Sequence, residues 1–177
     1  DFNQSAVHTD LWLPTRPGSD AALALAACHV VIEENLHRVE YLCEQTDLPF
    51  LVREDTGRFL RESDLVDGGS DSVFAVLDQA NGKIVWAPGS QGSEKKTLVL
   101  PEGVRPALET RAEVELPSGA RTTVRSVFSI LRERLRGFRP EDVSAATGVS
   151  PELIRRFARE LAGARSALII ASYGMCK

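Results

Sequence analysis

The feature that most constrains the fold of this 177-residue chain is a helix near its start that is apolar on almost every side. The pattern predicts this helix from about Ser19 to Glu34. Apolar residues recur at the helical spacing and also fill its other sides: Ala22, Leu23, Leu25, Ala26, Ala27, Val30, Val31 and Ile32. Because such a helix is stable in water only when other elements cover it, we expect it to be deeply packed.

The composition is typical of a folded globular domain, with 43% hydrophobic and 26% charged residues. The net charge of -4 argues against a protein that coats nucleic acid. No apolar run approaches the roughly 20 residues that a membrane helix needs, so we expect neither nucleic acid nor membrane as a partner. Because the chain begins at Asp1 and not at a methionine, we expect it to be an internal fragment of a longer protein.

The sequence offers no catalytic residue and no metal ligand. The cysteines Cys28, Cys43 and Cys176 form no C-x-x-C pair, which argues against a metal site and against a disulfide framework. The chain also contains neither the G-x-S-x-G nucleophile elbow nor the G-x-x-x-x-G-K-[ST] phosphate-binding loop. The cellular compartment is left open.

The middle third is predicted to form small antiparallel hairpins, as an insertion at about 48–124. One strand pair is expected around the turn Asp55–Gly57 and a second around Asn81-Gly82, a dipeptide suited to a tight hairpin. A third pair is expected around Pro117–Gly119. A short helix is predicted just before them, near 38–46.

The last third is predicted to be helical and to end in a strand. Helices are expected within 127–138 and on both sides of Gly148, the last of them with Ser150 as its N-cap. The apolar run Ala167–Ala171 is suited to a buried parallel strand, and Tyr173 and Gly174 would begin the loop at its carboxyl end, where open α/β sheets bind ligands. The expected fold class is α/β: a Rossmann-like three-layer αβα fragment with an antiparallel hairpin insertion, in a single domain over 1–177.

The segment before the apolar helix carries the most specific chemistry. The strand-like residues 11–13 lead into the turn Arg16, Pro17, Gly18, Ser19 and Asp20. A helix N-terminus offers unpaired N–H groups and a positive dipole end, Gly18 permits close approach of a ligand, and Arg16 carries a planar cation. These residues suit a nucleotide-binding turn. They equally suit ordinary helix capping, in which the Ser19 hydroxyl accepts from the first-turn N–H groups.

Three stretches in this order resemble the catalytic subunits of the molybdopterin oxidoreductases, the dimethyl sulfoxide reductase family. The first is DLWLP followed by RPGSDAAL, with Ser19 where threonine is usual. The second, TDLPFLVREDTGRFLRESDLVDG, is similar to the branch of nitrate, selenate, chlorate and perchlorate reductases and ethylbenzene dehydrogenase. The third is TGVSPELIRRFARELAGARSALIIASYGMCK.

This resemblance implies part of the catalytic subunit of an anaerobic dehydrogenase or oxyanion reductase. The full-length subunit would hold a molybdenum bis(molybdopterin guanine dinucleotide) cofactor. Asp20 would face the guanosine of one dinucleotide, with Arg16 and Ser19 towards the phosphate side or the polar rim, and Tyr173 and Gly174 nearby. Because the family's molybdenum ligand and iron–sulfur cysteines lie upstream, we expect this segment to be inactive alone and not necessarily to bind cofactor alone.

The implied partners are the rest of the same catalytic subunit and an iron–sulfur electron-transfer subunit. The resemblance leaves open a bacterial or archaeal periplasm or cytoplasm, the substrate and the direction of electron flow.

A second interpretation comes from the arginines of the last third. Between Arg125 and Arg165 there are nine arginines against five acidic residues, and VSAATGVSPELIRRFAREL resembles a helix-turn-helix motif. The alternative function is therefore a non-enzymatic DNA-binding or scaffold domain. The structural alternative is an αα-corner with a solvated basic face, which the acidic net charge favours.

Overall fold

The computed structural model describes residues 6–88 and 100–169, which form two compact units. The helical unit comprises Asp1–His37 and Arg132–Lys177, and the hairpin unit comprises Arg38–Leu131. The predicted insertion at about 48–124 lies inside the hairpin unit, and the expectation of a single domain stays a prediction. The elements in chain order are α1 (Asp20–Glu33), α2 (Val39–Gln45), β1 (Leu51–Arg53), α3 (Glu62–Leu65), β2 (Val73–Leu77), β3 (Ile84–Pro88), β4 (Arg111–Glu115), β5 (Arg121–Ser126), α4 (Val127–Leu135), α5 (Pro140–Thr147) and α6 (Pro151–Gly163), with 3-10 turns at Ala6–His8 and Arg136–Phe138.

The core of the helical unit is the packing of α1 against α5 and α6. Buried side chains from all three helices and their connection form two clusters: Ala26, Val143, Val149 and Ile154 in one, and Ala27, Val30 and Ala158 in the other. The expected deep packing of α1 is confirmed along this face. Its opposite side is less covered, since Leu25 is only partly buried and Cys28 is exposed.

The corner between α5 and α6 follows from its local sequence. Gly148 ends α5 with a left-handed φ of +76°, and its N–H donates to the Ser144 carbonyl at 2.8 Å. Ser150 then accepts a hydrogen bond from the Leu153 N–H at 3.3 Å, and Pro151 occupies the first helical position. The two predicted helices and the predicted N-cap are confirmed.

The hairpin unit contains a three-stranded antiparallel sheet of order β1-β5-β4 and a two-stranded antiparallel sheet of β2 and β3. The predicted hairpins β2–β3 and β4–β5 are confirmed, the latter closing at Gly119 with φ +79°. The tight Asn81-Gly82 turn is wrong in detail, because the last pair of the β2–β3 ladder is Leu77 with Ile84. The Asp78 carboxylate accepts from the Asn81 amide at 2.6 Å and from the Ala80 N–H at 3.1 Å, which stabilises a longer loop.

The first predicted hairpin forms only in part. After the turn, Phe59 makes a single bridge with Val52, and the sheet partner of β1 is β5. Polar side chains explain the difference. The Asp64 carboxylate accepts from the Arg61 N–H at 2.8 Å and from Arg53 at 2.7 Å, so α3 begins where a second strand was expected.

Two further expected strands are not observed among the described residues. Residues 11–13 are irregular, and the Thr15 N–H donates back to the Leu13 carbonyl at 2.9 Å, which bends the chain there. Residues 167–169 of the expected parallel strand have no strand neighbour, and Leu168 is 84% exposed. The other residues of that run lie outside the described ranges. The Rossmann-like three-layer arrangement stays a prediction.

Within 6–88 and 100–169, no helix combines the length and the apolar character that crossing a membrane requires.

A buried hydroxyl joins β5 to α4 in the hairpin unit. Ser126 is fully buried, and its Oγ accepts from the Ser129 N–H at 3.1 Å, which is an N-cap interaction for α4. The same oxygen accepts from the Thr110 N–H at 3.2 Å. The Thr110 N–H also donates to the Ser129 Oγ at 3.0 Å, so the hydroxyls of Ser126 and Ser129 together satisfy backbone donors from two segments.

Replacing Ser126→Ala should lower the free energy of unfolding by about 1–2 kcal/mol, because it removes the N-cap of α4 and one of the two hydroxyl acceptors of the Thr110 N–H. Urea denaturation followed by circular dichroism measures this. The matched control is Ser118→Ala in the exposed β4–β5 turn, which should stay within about 0.5 kcal/mol of the unmodified chain. Equal losses in the two variants would contradict the role of Ser126.

Candidate functional site

The segment Arg16–Asp20 forms a tight turn that leads directly into α1. The Ser19 N–H donates to the Arg16 carbonyl at 3.1 Å, and Gly18 has a left-handed φ of +81°. Pro17 and Gly18 thus occupy the two central positions, the sequence and conformation preferred by a type II β-turn. A Cβ added at Gly18 would meet no atom within 4 Å, so this side of the turn is open.

Ser19 does not cap α1 as the capping interpretation expected. Its hydroxyl donates to the Arg16 carbonyl at 2.6 Å and makes no bond to the first-turn N–H groups. The backbone explains why, since Ser19 has φ -106° and ψ 6°, outside the extended conformation that N-cap residues usually adopt. The Ser19 side chain therefore closes the turn and leaves the helix N-terminus without a side-chain cap.

Arg16 is held by the end of α5. Its backbone N–H donates to the Thr147 carbonyl at 2.9 Å, and its Nη1 donates to the Ala145 carbonyl. A cation is favourable at this place because it faces the negative end of a helix dipole. Within the described part of the chain, no carboxylate forms an ion pair with Arg16.

Asp20 is the first residue of α1 and is partly buried. Its carboxylate makes no hydrogen bond or ion pair with any of the residues that the structure describes. Asp20 follows the open Gly18 by two positions in the turn, and the acceptor capacity of its carboxylate is unused among the described residues. This is the one chemical group of the turn that points to a ligand with N–H or O–H donors.

The other predicted site residues, Tyr173 and Gly174, lie outside the described residues. The sequence did not indicate that Ala145, Thr147 and Gly148 are neighbours of Arg16, as the structure shows them to be. No local signal could have found them, because Arg16 and Ala145 are 129 positions apart.

The arginines of α6 are occupied by neighbouring carboxylates. Arg159 donates to Glu34 at 2.7 and 2.8 Å, Arg155 donates to Glu141, and Arg156 donates to Glu160 at 2.7 Å. Hydrogen bonding from Arg159 lowers the pKa of Glu34 below its ordinary value. The other face of α6 packs against α1, which leaves this helix as part of an αα-corner with a neutralised outer face and disfavours DNA binding.

The hairpin unit contains a groove of about 700 Å³ between α2 and the loop at 100–106. Cys43 lines it and donates to the Pro106 carbonyl at 3.5 Å, and burial raises the pKa of this thiol. A thiol of raised pKa is a poor nucleophile at neutral pH. Among the residues that can be described, no group of histidine, cysteine and acidic side chains could hold a metal ion.

The chain is similar along nearly its whole length to segments of much longer proteins. It is 42% identical over 175 residues to the dimethylsulfide dehydrogenase alpha subunit of Rhodovulum sulfidophilum, covering 99% of this chain and 19% of the relative. It is 43% identical over 173 residues to the chlorate reductase alpha subunit of Ideonella dechloratans (98% and 18%), and 39% identical over 184 residues to the respiratory nitrate reductase alpha subunit of Haloferax mediterranei (99% and 18%).

The chain therefore spans about a fifth of the length of the curated relatives it matches. No protein-family model matches it. The resemblance predicted from the sequence motifs is confirmed by these identities.

Glu34→Gln should lower the melting temperature slightly at pH 7, because it removes the acceptor of Arg159. Since the folded pKa of Glu34 is depressed, its contribution is present above the unfolded pKa and is lost as the pH falls through the folded value. The difference between the two proteins should therefore begin to shrink below about pH 4.3, the ordinary pKa of glutamate, and should shrink further as the pH falls through the lower folded pKa. Circular dichroism melts from pH 7 to pH 3 test this, with the unpaired, exposed Glu113→Gln as control. A difference that stays constant from pH 7 to pH 3 would contradict the ion pair.

The chain should show no sequence-selective binding to DNA at near-physiological salt, because the α6 arginines are paired and its apolar face is covered. Mobility-shift assays with a random duplex library measure this. Weak binding that vanishes with added salt would reflect phosphate contacts alone. Selection of one sequence from the library would restore the helix-turn-helix interpretation.

Proposed function

Because the chain belongs to the dimethyl sulfoxide reductase family of molybdopterin oxidoreductases, we propose that it is part of a catalytic subunit and contributes to its molybdopterin guanine dinucleotide site. The homologues are alpha subunits, which supports a larger assembly with other subunits. The Arg16–Asp20 turn is the proposed contact to the cofactor.

The observation that carries this proposal is the Asp20 carboxylate, which follows the open Gly18 by two positions and has no hydrogen-bond or ion-pair partner among the described residues. A guanine base presents two neighbouring N–H donors on one edge, and a ribose presents two hydroxyl donors. A carboxylate accepts two such hydrogen bonds at once, and they are stronger for its charge. The chemistry of the turn therefore fits the guanosine end of such a cofactor.

The other residues of the turn have supporting roles in this proposal. Gly18 lets the ligand approach the backbone closely, and the first-turn N–H groups of α1 favour a phosphate. Arg16 has no carboxylate partner among the described residues, and in this proposal it places a cation at the polar rim. Tyr173 and Gly174 remain proposed neighbours of the same cofactor.

The bound cofactor would supply the redox chemistry at molybdenum, and this segment would hold its nucleotide end. The names of the relatives, dimethylsulfide dehydrogenase and chlorate and nitrate reductase, support an anaerobic dehydrogenase or oxyanion reductase. Proposed partners are the rest of the same subunit and an iron–sulfur electron-transfer subunit.

In the full-length subunit, Asp20→Asn and Asp20→Ala should sharply lower the molybdenum and the guanosine monophosphate recovered per folded protein. Charge-assisted hydrogen bonds from Asp20 would contribute roughly 1.5–3 kcal/mol each to cofactor binding. The interaction of its charge with the helix dipole contributes only about 0.3–1 kcal/mol to the stability of the fold. Metal analysis, and nucleotide analysis after acid hydrolysis, measure the cofactor, and the melting temperature measures the fold.

The matched control is Glu152→Gln, since Glu152 is likewise an acidic residue in the first turn of a helix, although it is exposed where Asp20 is partly buried. Both kinds of variant lose a favourable dipole interaction, but only those at Asp20 should lose cofactor. If the Asp20 variants keep the full cofactor and merely melt slightly earlier, Asp20 is a helix-terminal charge and the proposed site is wrong.

A further inference from the structure

We infer that the α5–α6 corner, residues Ala145–Val149, positions the Arg16–Asp20 turn for its nucleotide, with Gly148 as the positioning residue. The inference rests on the proposed function. It assigns to this corner a task within the cofactor site.

The corner holds Arg16 from one side while the turn holds it from the other. The Arg16 N–H and Nη1 donate to carbonyls of Thr147 and Ala145, at the end of α5. The Arg16 carbonyl accepts from both the N–H and the hydroxyl of Ser19, at 3.1 and 2.6 Å. The next residue, Asp20, is the proposed nucleotide contact. A displacement of Arg16 is therefore passed to Asp20 through a short, hydrogen-bonded turn.

The corner is itself held firmly in the core of the helical unit. Thr147 is fully buried, its Oγ1 donates to the Val143 carbonyl at 3.0 Å, and it accepts from the Val149 N–H at 3.3 Å. Val149 is 1% exposed and packs in one cluster with Ala26 and Ile154. The carbonyls that bind Arg16 thus project from a buried and hydrogen-bonded platform, and Ala26 belongs to α1 itself.

At Gly148 the arginine side chain lies so close to the platform that a larger residue would contact it. A Cβ added there would lie 3.3 Å from Arg16 Cγ and 3.4 Å from Nε, so the arginine would have to shift by a few tenths of an ångström. Gly119 has nearly the same left-handed φ, +79° against +76°, but a Cβ there would meet nothing within 4 Å. Glycine is required at 119 for the backbone alone, and at 148 also for the approach of Arg16.

The two glycines provide a matched experiment in the full-length subunit. Gly148→Ala and Gly119→Ala introduce the same strain of a left-handed alanine. Gly148→Ala should reduce the guanosine monophosphate and molybdenum retained after prolonged dialysis by about fivefold, which corresponds to about 1 kcal/mol. Gly119→Ala should retain the unmodified amounts. Equal retention in the two variants would overturn the inference.

Gly148→Asn keeps the inference testable if the alanine variant folds poorly. Asparagine tolerates the left-handed conformation better than alanine, but it carries the same Cβ. Its cofactor loss should therefore match that of Gly148→Ala while its melting temperature is higher. Full cofactor retention in Gly148→Asn would show that backbone strain alone acts at this position, and would overturn the inference.

A double-mutant cycle with Arg16→Ala tests whether Gly148 acts through the arginine. Removing the Arg16 side chain removes the atoms that a Cβ at 148 would meet, so Gly148→Ala should cause no further cofactor loss in that background. Additive losses would overturn the inference. The Asp20→Asn variant separates the two proposals. If that variant keeps its full cofactor, the proposed nucleotide site is rejected. If Asp20→Asn loses cofactor but the Gly148 variants do not, only the positioning role of Gly148 is rejected.

Discussion

The burial of α1 against α5 and α6 is the constraint on which the helical unit depends. An apolar helix of this kind must be covered, and the helices that cover it come from the other end of the chain. Once that packing forms, the segment before α1 lies at the end of α5, and Arg16 reaches the carbonyls of Ala145 and Thr147. A requirement of hydrophobic burial thereby fixes the place of a polar turn.

The parts of the fold that local chemistry determines could be predicted from the sequence. The Ser150 cap, the end of α5 at Gly148 and the β4–β5 hairpin each depend on residues within a few positions of one another. The strand predictions that were wrong depend on contacts with distant residues or on small differences in energy between a helix and a strand. The Asp64 carboxylate favoured a helix where a strand was expected, and strand-like residues 11–13 have no sheet partner in the described structure.

The candidate site was predictable in its position but not in its detail. Pro17, Gly18 and Asp20 identify a turn before a helix, and the structure has such a turn. The direction of the Ser19 hydroxyl depends on a backbone angle that the residue type does not set. The partners of Arg16 depend on contacts between the two ends of the chain, which no periodicity in a single sequence encodes.

The discontinuity of the helical unit has a consequence for how the chain folds. Its two stretches are separated by residues 38–131, so every contact between α1 and α6 closes a long loop before it gains any burial. The hairpin unit is continuous and its strand pairs are mostly close in sequence. Contacts of high sequence separation form slowly, so we expect the helical unit to form after the hairpin unit. On a ribosome, the Arg16–Asp20 turn emerges before residues 38–131 and gains its support only after α5 and α6 have followed them.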